Sequence, residues 1–171
     1  MITRRNFLKA GAAVAALSVV PNGFASILAK KEKAIGVQLY SVRDDLKTDF
    51  DGTMKALVDI GYKRMEAAGY RDGKFYGKSP AEMKKYLADL GARMVGSHTG
   101  SGLLAEGDAK GWDFWKKNAA DTAEVGCKWI VQAGYPSKDI KSLSDVKRLA
   151  DQFNKCGEIA KANGLRFAFH N

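Results

Sequence analysis

The sequence predicts an α/β fold of the eight-fold β/α barrel type, with about four βα units and a fifth strand in residues 35–171. Three observations carry this. A glycine–apolar–basic signature recurs at Gly61-Tyr62-Lys63, Gly91-Ala92-Arg93, Gly126-Cys127-Lys128 and Gly164-Leu165-Arg166, with the glycines 30, 35 and 38 residues apart. A helical pattern precedes these glycines and a short apolar or β-forming run follows each one, which is the rhythm of βαβ units on a parallel sheet. The turn after the first strand lacks a G-x-G-x-x-G. An open doubly wound sheet begins the same way, but there Ser41-Val42-Arg43-Asp44-Asp45 would bring acids toward a phosphate, so the barrel is favoured.

Residues 1–25 stand apart. Thr3-Arg4-Arg5-Asn6-Phe7-Leu8-Lys9 and the apolar Ala10–Val20 have the layout of a twin-arginine export signal, with Gly23-Phe24-Ala25 as the cleavage region. An apolar stretch of about 11 residues is short of the roughly 20 that span a bilayer, and no cysteine lies near the cleavage point to carry lipid. No stable membrane anchor is therefore expected, and the partner during export is the twin-arginine translocase. Loss of Arg4, Arg5 and Lys9 with the signal lowers the formal charge from +9 to about +6. Residues 26–34, with Lys30-Lys31-Glu32-Lys33, form a charged linker.

The first strand is expected over Ile35–Ser41. The first helix shows Phe50, Met54, Leu57 and Val58 on one face, and a second strand runs from Lys63 to Ala68. The second helix announces its start with Ser79-Pro80-Ala81-Glu82: a cap serine, proline at the first helical position and a reciprocal glutamate. Its face is Met83, Tyr86, Leu87 and Leu90, and Arg93–His98 follows as strand three. The loop Thr99–Gly107 is read as a plain mobile loop, with a phosphate cradle or lid as the alternative. Trp112 and Trp115 open the next helix as core aromatics, and Trp129 lies in strand four, Lys128–Ala133. The last helix shows Leu143, Val146, Leu149, Ala150, Phe153 and Ala160, and strand five is Arg166–Asn171. Cys127 and Cys156 lack metal-ligand spacing and are expected as buried thiols. A complete barrel takes about 250 residues, so a mature portion of about 146 is expected to be a fragment, or a half-barrel closed by a partner, inactive alone.

In parallel barrels chemistry gathers where strands end. There lie Gln38 and Tyr40, Glu66, His98, Gln132, and His170 with Asn171. The chain has two histidines and both fall on that rim, which makes His98 and His170 the candidate catalytic residues. Gln38, Tyr40, Glu66, Gln132 and Asn171 are the candidate substrate contacts. The cations after each glycine fall on the opposite rim, where they complement helix C-termini, so no nucleic-acid partner is expected.

The stretches IGVQLYSVRDDL, GKSPAEMKKYLADLGARMVGSHTG and GLRFAFHN resemble the exported sugar phosphate isomerase/epimerase proteins of the xylose isomerase-like TIM barrel superfamily, over residues 35–171. The resemblance implies a metal-dependent isomerase or epimerase of a small-molecule sugar, moving a proton next to a carbonyl. It implies a divalent ion (Mn, Mg, Co or Zn) whose ligands lie beyond Asn171, and it matches Glu66, His98 and His170 to the substrate pocket. A lyase or hydrolase of keto-sugars or glycosides is the alternative. A non-catalytic sugar-binding module and a DNA repair enzyme related to endonuclease IV are weaker ones.

Overall fold

The computed structural model describes residues 35–134 and 136–170. The expected signal, the linker and Asn171 lie outside them. Five parallel strands form one sheet in the order β1 (Gly36–Gln38), β2 (Arg64–Ala67), β5 (Arg93–Thr99), β6 (Trp129–Ala133), β7 (Arg166–His170). Helices α1 (Arg43–Thr48), α2 (Phe50–Asp59), α3 (Pro80–Asp89), α4 (Ala109–Glu124) and α5 (Leu143–Ala162) lie between them in the chain. Strand order follows chain order, as in a βα barrel.

The recurring glycine signature has a single physical cause. Gly61, Gly91, Gly126 and Gly164 all sit at positive φ just past a helix, where a side chain would be strained. At each, the next residue's N–H donates back to the helix: Tyr62 to Leu57, Ala92 to Leu87, Cys127 to Thr122 and Leu165 to Ala160, at 2.8–3.1 Å. This is the Schellman stop, which satisfies carbonyls the helix leaves unpaired. The basic residue that follows opens the strand: the N–H groups of Arg93, Lys128 and Arg166 donate to Lys63, Val95 and Lys128 of the neighbouring strand at 3.0 Å. Helix stop and strand register are thus fixed within three residues.

Helix starts are equally local. Asp49, Ser79, Asp108 and Ser142 each accept from a backbone N–H of the first turn. Ser79 and Glu82 form the reciprocal box, with the Ser79 N–H donating to Glu82 Oε2 at 2.7 Å. Met54, Met65, Met83, Leu87, Met94, Trp115 and Ile130 are buried in the layer between sheet and helices. Cys127 and Cys156 are buried free thiols, as expected; burial pushes both up to about 12, so neither is a nucleophile at neutral pH.

Three expectations change. The first strand stops at Gln38, and a 3-10 turn over Leu39–Val42 carries Leu39 into the core. Leu143, Val146 and Ala150 are exposed, because α5 presents Leu149, Gln152, Cys156 and Ala160 to the interior instead. A 20-residue helix is about 30 Å long and a five-residue strand about 17 Å, so the first turns of α5 overrun the sheet. Between β2 and α3 stands an unexpected hairpin, β3 (Tyr70–Arg71) and β4 (Lys74–Phe75). Asp72 and Gly73 both take positive φ in its two-residue turn, the geometry that Asp-Gly favours.

Ser79→Ala is expected to lower unfolding free energy by about 1 kcal/mol through loss of the cap. Hydrogen bonds to Ser79 hold the Glu82 carboxyl below its ordinary range, and Ser142 does the same for Asp145. A depressed folded-state pKa contributes stability that is present above the unfolded value and lost as pH falls through the folded one. The urea midpoint should therefore drop on acidification, and drop less in Glu82→Gln.

Candidate active site

Alternation along the strands decides which side chains share a face. On β7, Phe167 and Phe169 pack on Phe153 of α5, and Phe167 also on Trp115 of α4. This leaves Arg166, Ala168 and His170 on the face away from the helices. On β5, Thr99 accepts from Asn118 of α4 at 2.7 Å, and His98 therefore faces the other way. Gln38, Glu66 and His98 meet on that open face.

Glu66 is the centre of the group. Its Oε2 accepts from Gln38 Nε2 at 2.9 Å and its Oε1 lies 3.0 Å from His98 Nδ1. Gln38 Nε2 also lies 2.9 Å from His98 Nδ1. The two contacts to Glu66 agree on one proton arrangement, in which the approach of Gln38 Nε2 to His98 Nδ1 is not a hydrogen bond. An unprotonated Nδ1 would set its lone pair against a carboxylate oxygen, and a flipped Gln38 amide would do the same with its carbonyl. Nδ1 therefore donates to Glu66, Gln38 donates to Glu66, and the third approach is two donors side by side on one carboxylate. The other ring nitrogen, Nε2, is buried without a hydrogen-bond partner among the described residues. Gly96 lies beneath: a Cβ there would stand 3.2 Å from Glu66 Oε1.

His170 is exposed, its ring centroid 5.3 Å from that of His98 at 80°. Tyr40 stands in the 3-10 turn, 57% exposed, with the Arg43 guanidinium 4.6 Å over its ring. Together with the hairpin these residues border a cavity of about 800 Å³. The hairpin is fastened to α4 through buried Asp121, which accepts from Tyr70 Oη at 2.7 Å and from Lys117 Nζ at 2.7 Å. Burial, then the Asp121 bond, pushes the Tyr70 phenol up, so it stays a donor. This wall was missed from sequence, although Asp72-Gly73 between Tyr-Arg and Lys-Phe is a hairpin signal.

Gln132 does not join this group. Its side chain lies on the helix side of β6, 2% exposed, where its amide donates to the Ser101 carbonyl at 3.1 Å and accepts from the Ser101 N–H at 3.3 Å. Position at a strand end was right; the face was not. The loop Thr99–Gly107 is pinned, against the expectation of a freely mobile one. Its N–H groups at Ser101, Leu103 and Leu104 donate to Gln132, Asp139 and Gln152, which leaves none of these three for a phosphate. Trp115 is core, with its indole N–H on Ser101 Oγ at 3.0 Å. Trp129 is half-exposed, 5.3 Å from the Arg166 guanidinium.

Among the described residues no three His, Cys, Asp or Glu side chains could hold a metal ion, and both Glu66 oxygens are engaged. These residues do not by themselves fit a metal.

The sequence profile of the xylose isomerase-like TIM barrel family matches residues 54–171. The chain belongs to this family. The five strands described here are part of such a barrel. The chain is similar to two sugar phosphate isomerase/epimerases from Parabacteroides distasonis. One is 33% identical with a TM-score of 0.70, over 80% of this chain and 50% of that one. The other is 29% identical with a TM-score of 0.67, over 80% and 54%. The IolI protein with a bound zinc atom shares the fold at 16% identity and TM-score 0.52, over 72% of this chain and 45% of that one. The chain thus spans about half the length of the solved structures it matches. Comparison with curated proteins gives no match. Residues 1–21 match the twin-arginine signal profile, and the protein is exported by that pathway.

With only two histidines, the His98 arrangement is directly observable. Long-range ¹H–¹⁵N spectra at alkaline pH should show His98 as the Nδ1–H tautomer. In Glu66→Gln, and in Gly96→Ala, where the added methyl presses on the carboxylate, that preference should weaken. A wild-type His98 carrying its proton on Nε2 would contradict the assignment.

Proposed function

We propose that the protein is a divalent-metal-dependent isomerase or epimerase of a sugar or sugar derivative, acting by proton transfer at a carbon next to a carbonyl. The observation that carries this is the Gln38–Glu66–His98 group facing the cavity. A base for such chemistry needs one nitrogen fixed and the other free to take a proton: Glu66 fixes Nδ1 of His98, and the buried Nε2 has no partner among the described residues. Glu66 holds Nδ1–H, sets the tautomer and stabilises the imidazolium that forms when Nε2 takes a proton. Gln38 keeps the carboxylate from turning away. His170 and Tyr40 stand where substrate hydroxyls and a sugar's apolar face would lie. The likeness to sugar phosphate isomerase/epimerases supports the reaction class.

Metal dependence enters through the family alone. The described residues make no metal set, and no step here runs through one.

The test is product analysis on a panel of ketoses, aldoses and keto-sugars in deuterium oxide with the catalytically active protein. Deuterium should enter next to the carbonyl. His98→Ala should lower kcat by about 100-fold or more, the usual worth of a positioned acid–base. His170→Ala should lower it by about ten-fold, as for a group that orients substrate. Chelator should abolish turnover, and added Mn or Mg restore it. Full activity in His98→Ala would overturn the reading, and products shortened by elimination would favour a lyase.

A further inference from the structure

Resting on the isomerase reading and deepening it, we propose that α4 positions the site through two separate tethers. Asn118 holds His98 by way of Thr99, and Asp121 holds the hairpin by way of Tyr70. The need for the first tether lies in the sheet. Among the described residues β5 pairs with β2 only as far as Ser97, opposite Ala67. Its last two residues, His98 and Thr99, pair with β6 alone, opposite Val131 and Gln132. His98 therefore stands where its strand has lost one of two neighbours, although a base at this position needs its ring kept on Glu66. Successive side chains of a strand point to opposite faces. A bond to Thr99 on the helix side thus restrains the turning of the strand end that would swing His98 out of place.

The sequence of α4 supplies that bond. Lys117, Asn118, Asp121 and Thr122 recur at the spacing of one helix face. Asn118, Asp121 and Thr122 are 0%, 5% and 0% exposed, and polar groups buried so deeply destabilise a core unless they are bonded. Each of them is. Asn118 Nδ2 donates to Thr99 Oγ1 at 2.7 Å, while its Oδ1 accepts from the Thr122 hydroxyl at 3.0 Å, which fixes the amide's orientation. One turn on, Asp121 Oδ2 accepts from Tyr70 Oη at 2.7 Å, and Lys117 Nζ donates to both carboxylate oxygens at 2.7 Å. The hairpin turn lies against the same lysine, since a Cβ on Gly73 would stand 3.4 Å from Lys117 Nζ.

Both sets of contacts end on residues that border the His98 cavity, Thr99 and Tyr70. Apolar side chains would fill this helix face without the cost of burying an amide, a hydroxyl and a carboxylate. Their partners give these polar groups a purpose. The Asn118–Thr122 pair reaches the strand that carries the base, and the Asp121–Lys117 pair reaches the wall opposite. Loss of the first tether should disturb proton transfer; loss of the second should disturb binding. Asn118 and Asp121 are thus positioning residues, each acting through another side chain.

The test compares Thr99→Val, which keeps the side chain's shape and removes the acceptor, with Thr99→Ser, which keeps the acceptor, and with Tyr70→Phe, which removes only the phenolic hydroxyl. Turnover is followed on the sugar that exchanges deuterium. Thr99→Val should lower kcat about ten-fold or more with KM within about three-fold, because a slightly misplaced reacting group costs rate, and Thr99→Ser should restore most of it. Tyr70→Phe should raise KM about five-fold, roughly the worth of one hydrogen bond, with kcat within about two-fold. Two readouts need no turnover. In long-range ¹H–¹⁵N spectra the Nδ1–H preference of His98 should weaken in Thr99→Val and persist in Thr99→Ser and Tyr70→Phe. Amide exchange in β3 and β4 should quicken about ten-fold in Tyr70→Phe alone. If Thr99→Val does not fold, Thr99→Ala takes its place with the same expected values. A Thr99 variant without the acceptor that keeps the wild-type His98 spectrum, a serine variant that restores nothing, or hairpin exchange unchanged in Tyr70→Phe overturns the tethers. Absence of turnover on every sugar overturns the isomerase reading instead, and the spectra and exchange rates still decide the tethers.

Discussion

The constraint on which the structure depends is the forced stop of each helix at a glycine in the left-handed conformation. At Gly61, Gly91, Gly126 and Gly164 the chain reverses within two residues and delivers a basic residue to the start of a strand. Because the stop fixes where each strand begins, it also fixes which residues face the open side of the sheet. A shift of one residue would turn His98 toward α4 and Thr99 toward the cavity. Functional geometry here is a consequence of helix termination.

The site itself depends on one carboxylate. Glu66 collects donors from two other strands, Gln38 of β1 and His98 of β5, and needs the missing side chain at Gly96 to fit between them. Such a group is worth its desolvation only if both oxygens are satisfied, and they are. The same economy of buried polar groups appears across the sheet. Gln152 and Asn118 are buried amides that bind a loop and a strand to helices, Gln132 is one that binds a loop to a strand, and Asp121 binds the hairpin.

Much of this was legible in the sequence because its causes are local. Helix stops, the Ser79–Glu82 box and the strand runs are decided within six residues, and the four sheet strands that follow the repeated glycines lie where the repeat puts them. The resemblance carried by GLRFAFHN and its companion stretches agrees with the family assignment. What escaped depends on geometry that spans elements. Gln132 sits at a strand end like His98, yet only the pleat counted across β5 and β6 reveals that it faces the helices. The contacts around Ser101 join residues 14 to 51 positions apart, which no local pattern encodes. The exposed first turns of α5 follow from a mismatch in length between helix and strand that the apolar pattern cannot report.

The most direct measurement is a crystal structure of the protein with a bound sugar. The account requires a sugar oxygen or the carbon bearing the labile proton within reach of His98 Nε2, about 2.6–3.2 Å for a hydrogen-bonded oxygen, while Nδ1 stays on Glu66. A sugar seated away from His98, or a His98 ring turned so that Nε2 is held by the protein, would contradict it.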